Sequence, residues 1–238
     1  MDWKTYDAVT VIPARYGSTR LPGKPLADIS GKPMIQWVYE RAAIARGVDL
    51  TVVATDDARI EAVVKGFGGQ VIMTPSDLAS GTDRVAYAAR LIRAKIYINV
   101  QGDEPLIGAE EVEGALAQVR SGRFEMGSAM TPFGSDEDRR PPSVVKVVVG
   151  PDRRALKFSR ADLGPESFRH LGIYSYTAEK LDWFSKADPT ENEKSERLEQ
   201  LRALDHGVAI GMALVNSRSF GIDVPEDLVR AREIVSVL

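Results

Sequence analysis

Apolar residues follow two alternating rhythms along the first half of the chain. Short β-branched runs at 8–14 (AVTVIPA), 50–56 (LTVVATD), 70–74 (QVIMT) and 96–103 (IYINVQGD) read as buried strands. Between them, PMIQWVYERAAIARG, DARIEAVVKGFGG and GTDRVAYAARLIRA repeat their apolar positions at intervals of three and four, and AEEVEGALAQVRS follows as a fourth such segment. That spacing predicts amphipathic helices, and Gly68-Gly69 supplies a stop for the second of them. Strands alternating with helices predict βαβ units, so the expected fold class is α/β with a doubly wound, mostly parallel sheet.

From about residue 124 the rhythm changes. FEMGSAMTPF, SVVKVVVG, RRALKFSR and FRHLGIYSYT are consecutive strand-like runs, which predict an antiparallel excursion over about 124–178 laid on the edge of the main sheet. Helices return at AEKLDWFSKAD and EKSERLEQLRALDHG, followed by a strand through AIGMALVN, a turn at GIDVPED and a last helix. No Gly/Ser-rich linker interrupts the pattern, and GSDEDRRPPS is only a polar loop, so one domain over 1–238 is expected.

Composition narrows the chemistry. The 31 basic and 34 acidic residues leave a net charge of −3, which argues against a general nucleic-acid binder, because such proteins carry a basic excess. The chain has no cysteine, which removes disulfides, thiolate nucleophiles and cysteine-held metals. The first residues lack the basic start and long apolar core of a signal peptide, and no run reaches membrane-spanning length, so no membrane insertion and a cytoplasmic location are expected.

The stretch after the first strand, VIPARYGSTRLPGKPLADISGKPM, carries Arg15, Arg20 and Lys24 among glycines. It matches neither dinucleotide nor P-loop fingerprints. Its place at the carboxyl end of a parallel strand is where doubly wound folds bind ligands. Guanidinium groups hold phosphate oxygens in pairs and lysine acts as a point charge, a combination suited to a polyphosphate. A solvated basic loop has the same composition.

The string IPARYGSTRLPGKPLADISGKPMI resembles the signature of the CMP-sugar-acid synthetases, and within them the 3-deoxy-manno-octulosonate (KDO) cytidylyltransferases. The resemblance continues through VATDD (53–57), SGTDR (80–84), INVQGDEPLI (98–107), VVKVV (144–148), FSRA (158–161), RHLGIYSY (169–176), LEQLRAL (198–204) and GIDVPEDL (221–228). It implies a Rossmann-like nucleotidyltransferase fold and a reaction in which CTP and a sugar acid give CMP-KDO and pyrophosphate for lipopolysaccharide biosynthesis. It also implies a homodimer, with the antiparallel excursion as the partner surface.

Carried over residue by residue, the resemblance makes Asp103 and Asp223 the Mg2+ ligands and places Arg15 and Lys24 on the triphosphate, assisted by Arg20. Pro13, Ala14 and Ser18 line the nucleotide, and Thr55, Asp56, Ser80, Gly81, Thr82 and Arg84 surround the base and ribose. Arg160, His170, Tyr174, Glu199 and Gln200 hold the sugar acid. Their types fit that task, since an arginine can clamp a carboxylate while the others bond hydroxyls. Bland readings stand beside several of these: a turn or helix-cap acid for each aspartate, a helix cap for SGTDR, and a structural histidine for His170. His206 reads as surface.

Three features depart from the family pattern. DLASGT has Leu78 and Ala79 where polar residues are usual, only nine residues separate Arg160 from His170, and Asp205 stands where an aromatic is common. They bear on which acid is used, so a modified acid (an 8-amino KDO analogue or a phosphonate) is the alternative substrate. A non-catalytic CTP-binding protein is the alternative of another class.

Overall fold

The computed structural model describes residues 5–17, 21–134 and 139–236. In chain order the first half contains β1 (Tyr6–Ala14), the short pair β2 (Asp28–Ile29) and β3 (Lys32–Pro33), α1 (Met34–Ala43), β4 (Leu50–Thr55), α2 (Ala58–Gly66), β5 (Gln70–Met73), α3 (Gly81–Leu91), β6 (Ala94–Asn99) and α4 (Ala109–Arg120). The second half contains β7 (Met126–Thr131), β8 (Lys146–Val149), β9 (Ala155–Ser159), β10 (Phe168–Thr177), α5 (Ala178–Lys186), α6 (Glu191–Glu196), α7 (Gln200–Asp205), β11 (Ile210–Leu214) and α8 (Pro225–Val235).

The alternation of the first half gives parallel pairing, as its periodicity predicts. β1 lies between β4 and β6, with Ala14 opposite Thr55 and Val11 opposite Asn99. The carboxyl ends of these strands therefore end at one edge. Side chains alternate across the sheet: Ala8 and Ile12 pack with Ile35, Val38, Ile60 and Leu116 on one face, whereas Val9 and Val11 pack with Val85, Leu181 and Phe184 on the other. Both faces are thus covered by helices, the reason these strands read as nearly continuous apolar runs.

The antiparallel segment is placed differently from its sequence expectation. The strand order is β11-β7-β10-β6-β1-β4-β5, so β10 pairs with β6 inside the sheet instead of being laid on its edge. The other side of β10 pairs with β7, which runs parallel to β11, and the start of β10 pairs with the β8-β9 hairpin. Local alternation gives strands but not their neighbours. Here Tyr176, Ser175 and Tyr174 find their register on Tyr97, Ile98 and Asn99 only once both strands exist.

The single helix expected from EKSERLEQLRALDHG is two. Thr190 caps α6 through a capping box with Glu193, and the helix ends at Arg197, which adopts left-handed φ 54°, ψ 48°. A non-glycine residue there costs about 1–2 kcal/mol. The break turns Leu198 and Glu199 inward before α7 begins. Asp205 accepts hydrogen bonds from Thr190 and Asn192 at 2.5 and 3.0 Å, which ties the two short helices together at the surface.

α8 binds the chain end back to the first loop. Its Leu228, Ala231 and Val235, spaced by three and four, pack on Ile29, Met34, Leu106 and Ile222. This brings the 221–224 turn beside the end of β6. Among the described residues no helix is long and apolar enough to cross a membrane.

Candidate active site

A cleft of about 360 Å³ opens where β1 and β6 end. Pro13 and Ala14 line it from the end of β1, Arg15, Gly17, Lys24 and Pro25 from the first loop, Gly81 from the start of α3, Gln101, Gly102 and Asp103 from beyond β6, and Asp223 from the turn before α8. The first loop reaches it through a sharp return. Gly23 has φ 69°, and its N–H donates to the Tyr16 carbonyl at 3.0 Å. A β-carbon there would lie 3.1 Å from the Tyr16 ring, so glycine is needed on both counts. The following 3-10 turn, Lys24–Leu26, carries Pro25 near its start and swings Lys24 over the cleft. Gly102 permits the closest approach, since a β-carbon would stand 2.8 Å from the carbonyl oxygen of Pro13.

Lys24 is the electrostatic centre. Its Nζ donates to Asp103 Oδ2 at 2.6 Å, to the Ile222 carbonyl at 2.7 Å and to Asp223 Oδ1 at 3.3 Å. The lysine side chain is 13% exposed, against 33% and 45% for the two acids, so the carboxylates face outward around a deeper cation. Arg15 donates to the Leu78 carbonyl at 2.7 Å, and burial, followed by the neighbouring charge of Arg84, lowers its pKa. The Leu78 departure thus meets the cleft through its backbone, where side-chain identity matters least.

Of the residues expected around the nucleotide, Pro13, Ala14, Arg15, Lys24 and Gly81 line this cleft together with Asp103 and Asp223. Ser18 and Arg20 lie outside the described residues. Ser80 and Asp83 form a reciprocal capping box at the start of α3, which fixes the approach of Gly81.

Thr55 and Arg84 need correction. Neither has exposed surface, so neither side chain can touch a base or ribose in this arrangement. The two terminal nitrogens of Arg84 donate within the fold, to Asp56 at 2.8 Å, to the Pro75 carbonyl at 3.2 Å and to Thr74 Oγ1. A buried guanidinium demands such partners, so Arg84 joins the ends of β4 and β5 behind the cleft and occupies the Asp56 carboxylate as it does so.

The five residues expected for the sugar acid come from three elements. His170 and Tyr174 lie on β10 with rings 5.5 Å apart. Burial, reinforced by the charges of Glu199 and Glu104 and opposed by that of Arg160, raises the Tyr174 pKa, so all three groups lie within electrostatic reach of its hydroxyl. Glu199 accepts a hydrogen bond from Thr82 Oγ1 at 2.6 Å, and burial raises its pKa. Gln200 is buried, with an amide nitrogen lacking a hydrogen-bond partner. His170 is buried against Phe158 and bonded to Ser128 Oγ at 2.9 Å, and burial pushes its pKa down to about 3. Arg160 is committed to backbone carbonyls of Glu196 (2.8 Å), Pro142 (2.8 Å) and Arg197 (3.2 Å), so in this arrangement it clamps the end of α6. His206 is exposed, as its surroundings predict.

Several residues in and behind the cleft escaped the sequence reading. Gln101 and Gly102 stand inside QGDEP, directly after a strand, a position that could have marked them. Asn99 carried a subtler signal, an amide inside the apolar run IYINV. It is fully buried, donates to Thr82 Oγ1 at 3.3 Å and accepts from Gln101 Nε2 at 3.1 Å, so a polar chain links Gln101 at the cleft to Glu199. Glu104, next to Asp103, is buried beneath Gly172, where a β-carbon would lie 2.7 Å from its Oε1. Burial, with the adjacent Asp103 charge, pushes its pKa up to about 7.

A doubly wound sheet whose strand ends gather a lysine, an arginine and two carboxylates around one cleft defines a nucleotidyltransferase-type α/β protein. The chain belongs to the cytidylyltransferase family, whose model matches residues 9–210. A 3-deoxy-manno-octulosonate cytidylyltransferase of Syntrophobacter fumaroxidans is 48% identical over 233 residues, covering 92% of this chain and 93% of that protein. An 8-amino-3,8-dideoxy-manno-octulosonate cytidylyltransferase of Shewanella putrefaciens is 45% identical over 239 residues, covering 95% and 98%. Among solved structures, a CMP:2-keto-3-deoxy-manno-octonic acid synthetase complexed with CTP superimposes with a TM-score of 0.92 at 43% identity, covering 97% of this chain and 99% of that one.

Proposed function

We propose that the protein activates KDO with CTP, giving CMP-KDO and pyrophosphate. The observation that carries this reading is the Lys24 ammonium held between Asp103 and Asp223 at the strand ends, with Arg15 on the same cleft wall. In the reaction the 2-hydroxyl oxygen of the sugar acid bonds to the α-phosphorus of CTP and loses its proton. The bond from that phosphorus to the oxygen bridging to the β-phosphate breaks, and pyrophosphate leaves with the electron pair. Such a transfer needs alignment and charge neutralisation more than a strong base. Arg15 and Lys24 would bind the triphosphate, Lys24 exchanging contacts with the aspartates for contacts with phosphate.

The cleft's donors fit a hard divalent cation. Among the described residues there is no group of three or more metal-ligating side chains, and two carboxylates completed by phosphate oxygens and water are the usual protein share for Mg2+. Asp103 and Asp223 would hold the ion, which when bound supplies positive charge that eases ionisation of the hydroxyl and stabilises the departing pyrophosphate. Tyr174, Glu199 and Gln200 would orient the acid through its hydroxyls, with Thr82 fixing the Glu199 carboxylate. His170, held neutral by burial, would act as a hydrogen-bonding and packing group.

The 8-amino analogue is the second reading, favoured by the 45% identity to an enzyme named for that acid. On either reading the product feeds lipopolysaccharide assembly in the cytoplasm, and the active species is a homodimer. The deciding measurement is pyrophosphate release from CTP with KDO and with the 8-amino acid, run side by side with Mg2+ present. Release with KDO at the higher kcat/KM supports the first reading. A higher kcat/KM for the amino acid transfers the assignment to it, and no release with either removes both.

A further inference from the structure

Between β11 and α8, residues 215–223 run without regular structure, yet they deliver Asp223 to the cleft. Irregular backbone holds its course only where its polar groups find partners. Arg169, at the start of β10, supplies two of them, since its guanidinium donates to the Ser219 carbonyl at 2.6 Å and to the Ser217 carbonyl at 2.9 Å. Two hydroxyls pin the same segment: Ser219 Oγ donates to Glu104 Oε2 at 2.9 Å, and Ser217 Oγ donates to Glu111 Oε1 at 2.5 Å. The Ser219 N–H also donates to Ser217 Oγ at 3.0 Å, which closes the segment on itself. Finally, the Ile222 N–H donates to the Asp103 carbonyl at 2.9 Å. Because Glu104 follows Asp103 in the chain, the segment bearing one cleft carboxylate is tied twice to the segment bearing the other.

We propose that Arg169 is a positioning residue: by fixing the Ser217 and Ser219 carbonyls it sets Asp223 opposite Asp103, and so sets how tightly the cleft holds a divalent cation beside the triphosphate. The proposal rests on the reaction proposed above. Arg169 does not line the cleft; it borders a separate cavity with Phe133, Arg218, Phe220 and Arg230 and acts through the 215–223 segment. A planar fork bonding two carbonyls at once is a role that lysine fills only in part.

The test uses Arg169→Met, Arg169→Lys and Ser219→Ala in the full chain, with two readouts besides turnover. Amide hydrogen exchange over 215–224 without substrates is expected to speed up at least about tenfold in Arg169→Met, as for loss of hydrogen bonds from a charged donor, with the rest of the sheet unchanged. Calorimetric Mn2+ affinity of the protein–CTP complex is expected to fall about tenfold or more, the usual consequence of losing an outer-shell partner. kcat should fall with it while KM for the sugar acid holds. Arg169→Lys should recover part of each change, and Ser219→Ala should move both readouts the same way by less. If Arg169→Met does not fold, the lysine and Ser219 variants carry the test. Parent-like exchange over 215–224 and parent-like Mn2+ affinity overturn the proposal, as does exchange that quickens equally everywhere. Should the parent–CTP complex take up no Mn2+, the metal part of the proposed function fails, while local exchange still decides whether Arg169 holds the segment.

Discussion

The two halves of the site are built by different means. Around the cleft proposed for the nucleotide, groups come within short strings: PAR across the end of β1, QGD after β6, GID before α8. Each string is placed by one strand end or one helix start, so spacing within a string, though not between strings, translates into spacing at the cleft. The region proposed for the sugar acid instead draws on β10, the segment after β9 and the break between α6 and α7. Its geometry depends on an antiparallel strand inserted between β6 and β7 and on Arg197 in the left-handed region. A site gathered at the ends of paired strands is tied to the sheet itself, whereas a site on breaks and insertions can be retuned with the sheet intact. That contrast fits two relatives of similar identity that are named for different acids.

The contrast is broken most sharply by Asp103→Asn. Pyrophosphate release should fall by about two orders of magnitude or more, as when a charge-stabilising group is removed from a transition state. The melting temperature should move by only a few degrees, because the side chain is 33% exposed. Near-parental turnover would take Asp103 out of the reaction.

Glu199→Gln separates the two halves. It keeps the shape and one acceptor for Thr82 but removes the charge, and a charge-assisted hydrogen bond to a substrate hydroxyl accounts for roughly 1.5–3 kcal/mol, or about 10–100-fold in affinity. KM for the sugar acid should rise by that factor with CTP affinity unchanged. An equal loss for both substrates would show that the Gln101-Asn99-Thr82-Glu199 chain couples the two halves.

His170 gives the comparison a pH axis. Burial holds its folded-state pKa near 3, below the ordinary 6.5, so the unfolded chain binds the proton more tightly. The stability this contributes is fully present above about pH 6.5 and is lost as pH falls toward 3, at up to about 1.4 kcal/mol per pH unit. His170→Asn should flatten that part of the stability-versus-pH curve, measured by urea unfolding at several pH values. An unchanged slope would mean the imidazole titrates normally. The smallest effect belongs to Arg197→Gly. Relief of the left-handed backbone, offset by greater freedom of the unfolded chain, should change stability by less than about 1 kcal/mol. A marked rise in KM for the acid in that variant would reveal a binding role for the Arg197 side chain.

The cleft at the strand ends was the more legible region because its signals are local. A basic, glycine-bearing loop after the first strand and carboxylates at a strand end and a turn can be read without knowing any pairing. Arg84 shows the limit of that reading: its motif promised a contact, but burial against Asp56 and Thr74 turned it into a support. The helix break at Arg197 was invisible for a related reason, since EKSERLEQLRAL keeps helical composition across a residue whose backbone leaves the helix. Propensity reports an average preference, and the inward packing of Leu198 outweighs it here.

Alone, the sequence determined the alternating α/β architecture, the exclusion of cysteine chemistry and the strings that end at the cleft, because periodicity and turn chemistry act over a few residues. Only the tertiary structure decided that β10 lies inside the sheet, that Arg84 supports the cleft from behind, and that Lys24 sits between Asp103 and Asp223. These depend on which distant groups share a buried environment, where hydrogen bonds and charges must be satisfied together, and no local pattern carries that information.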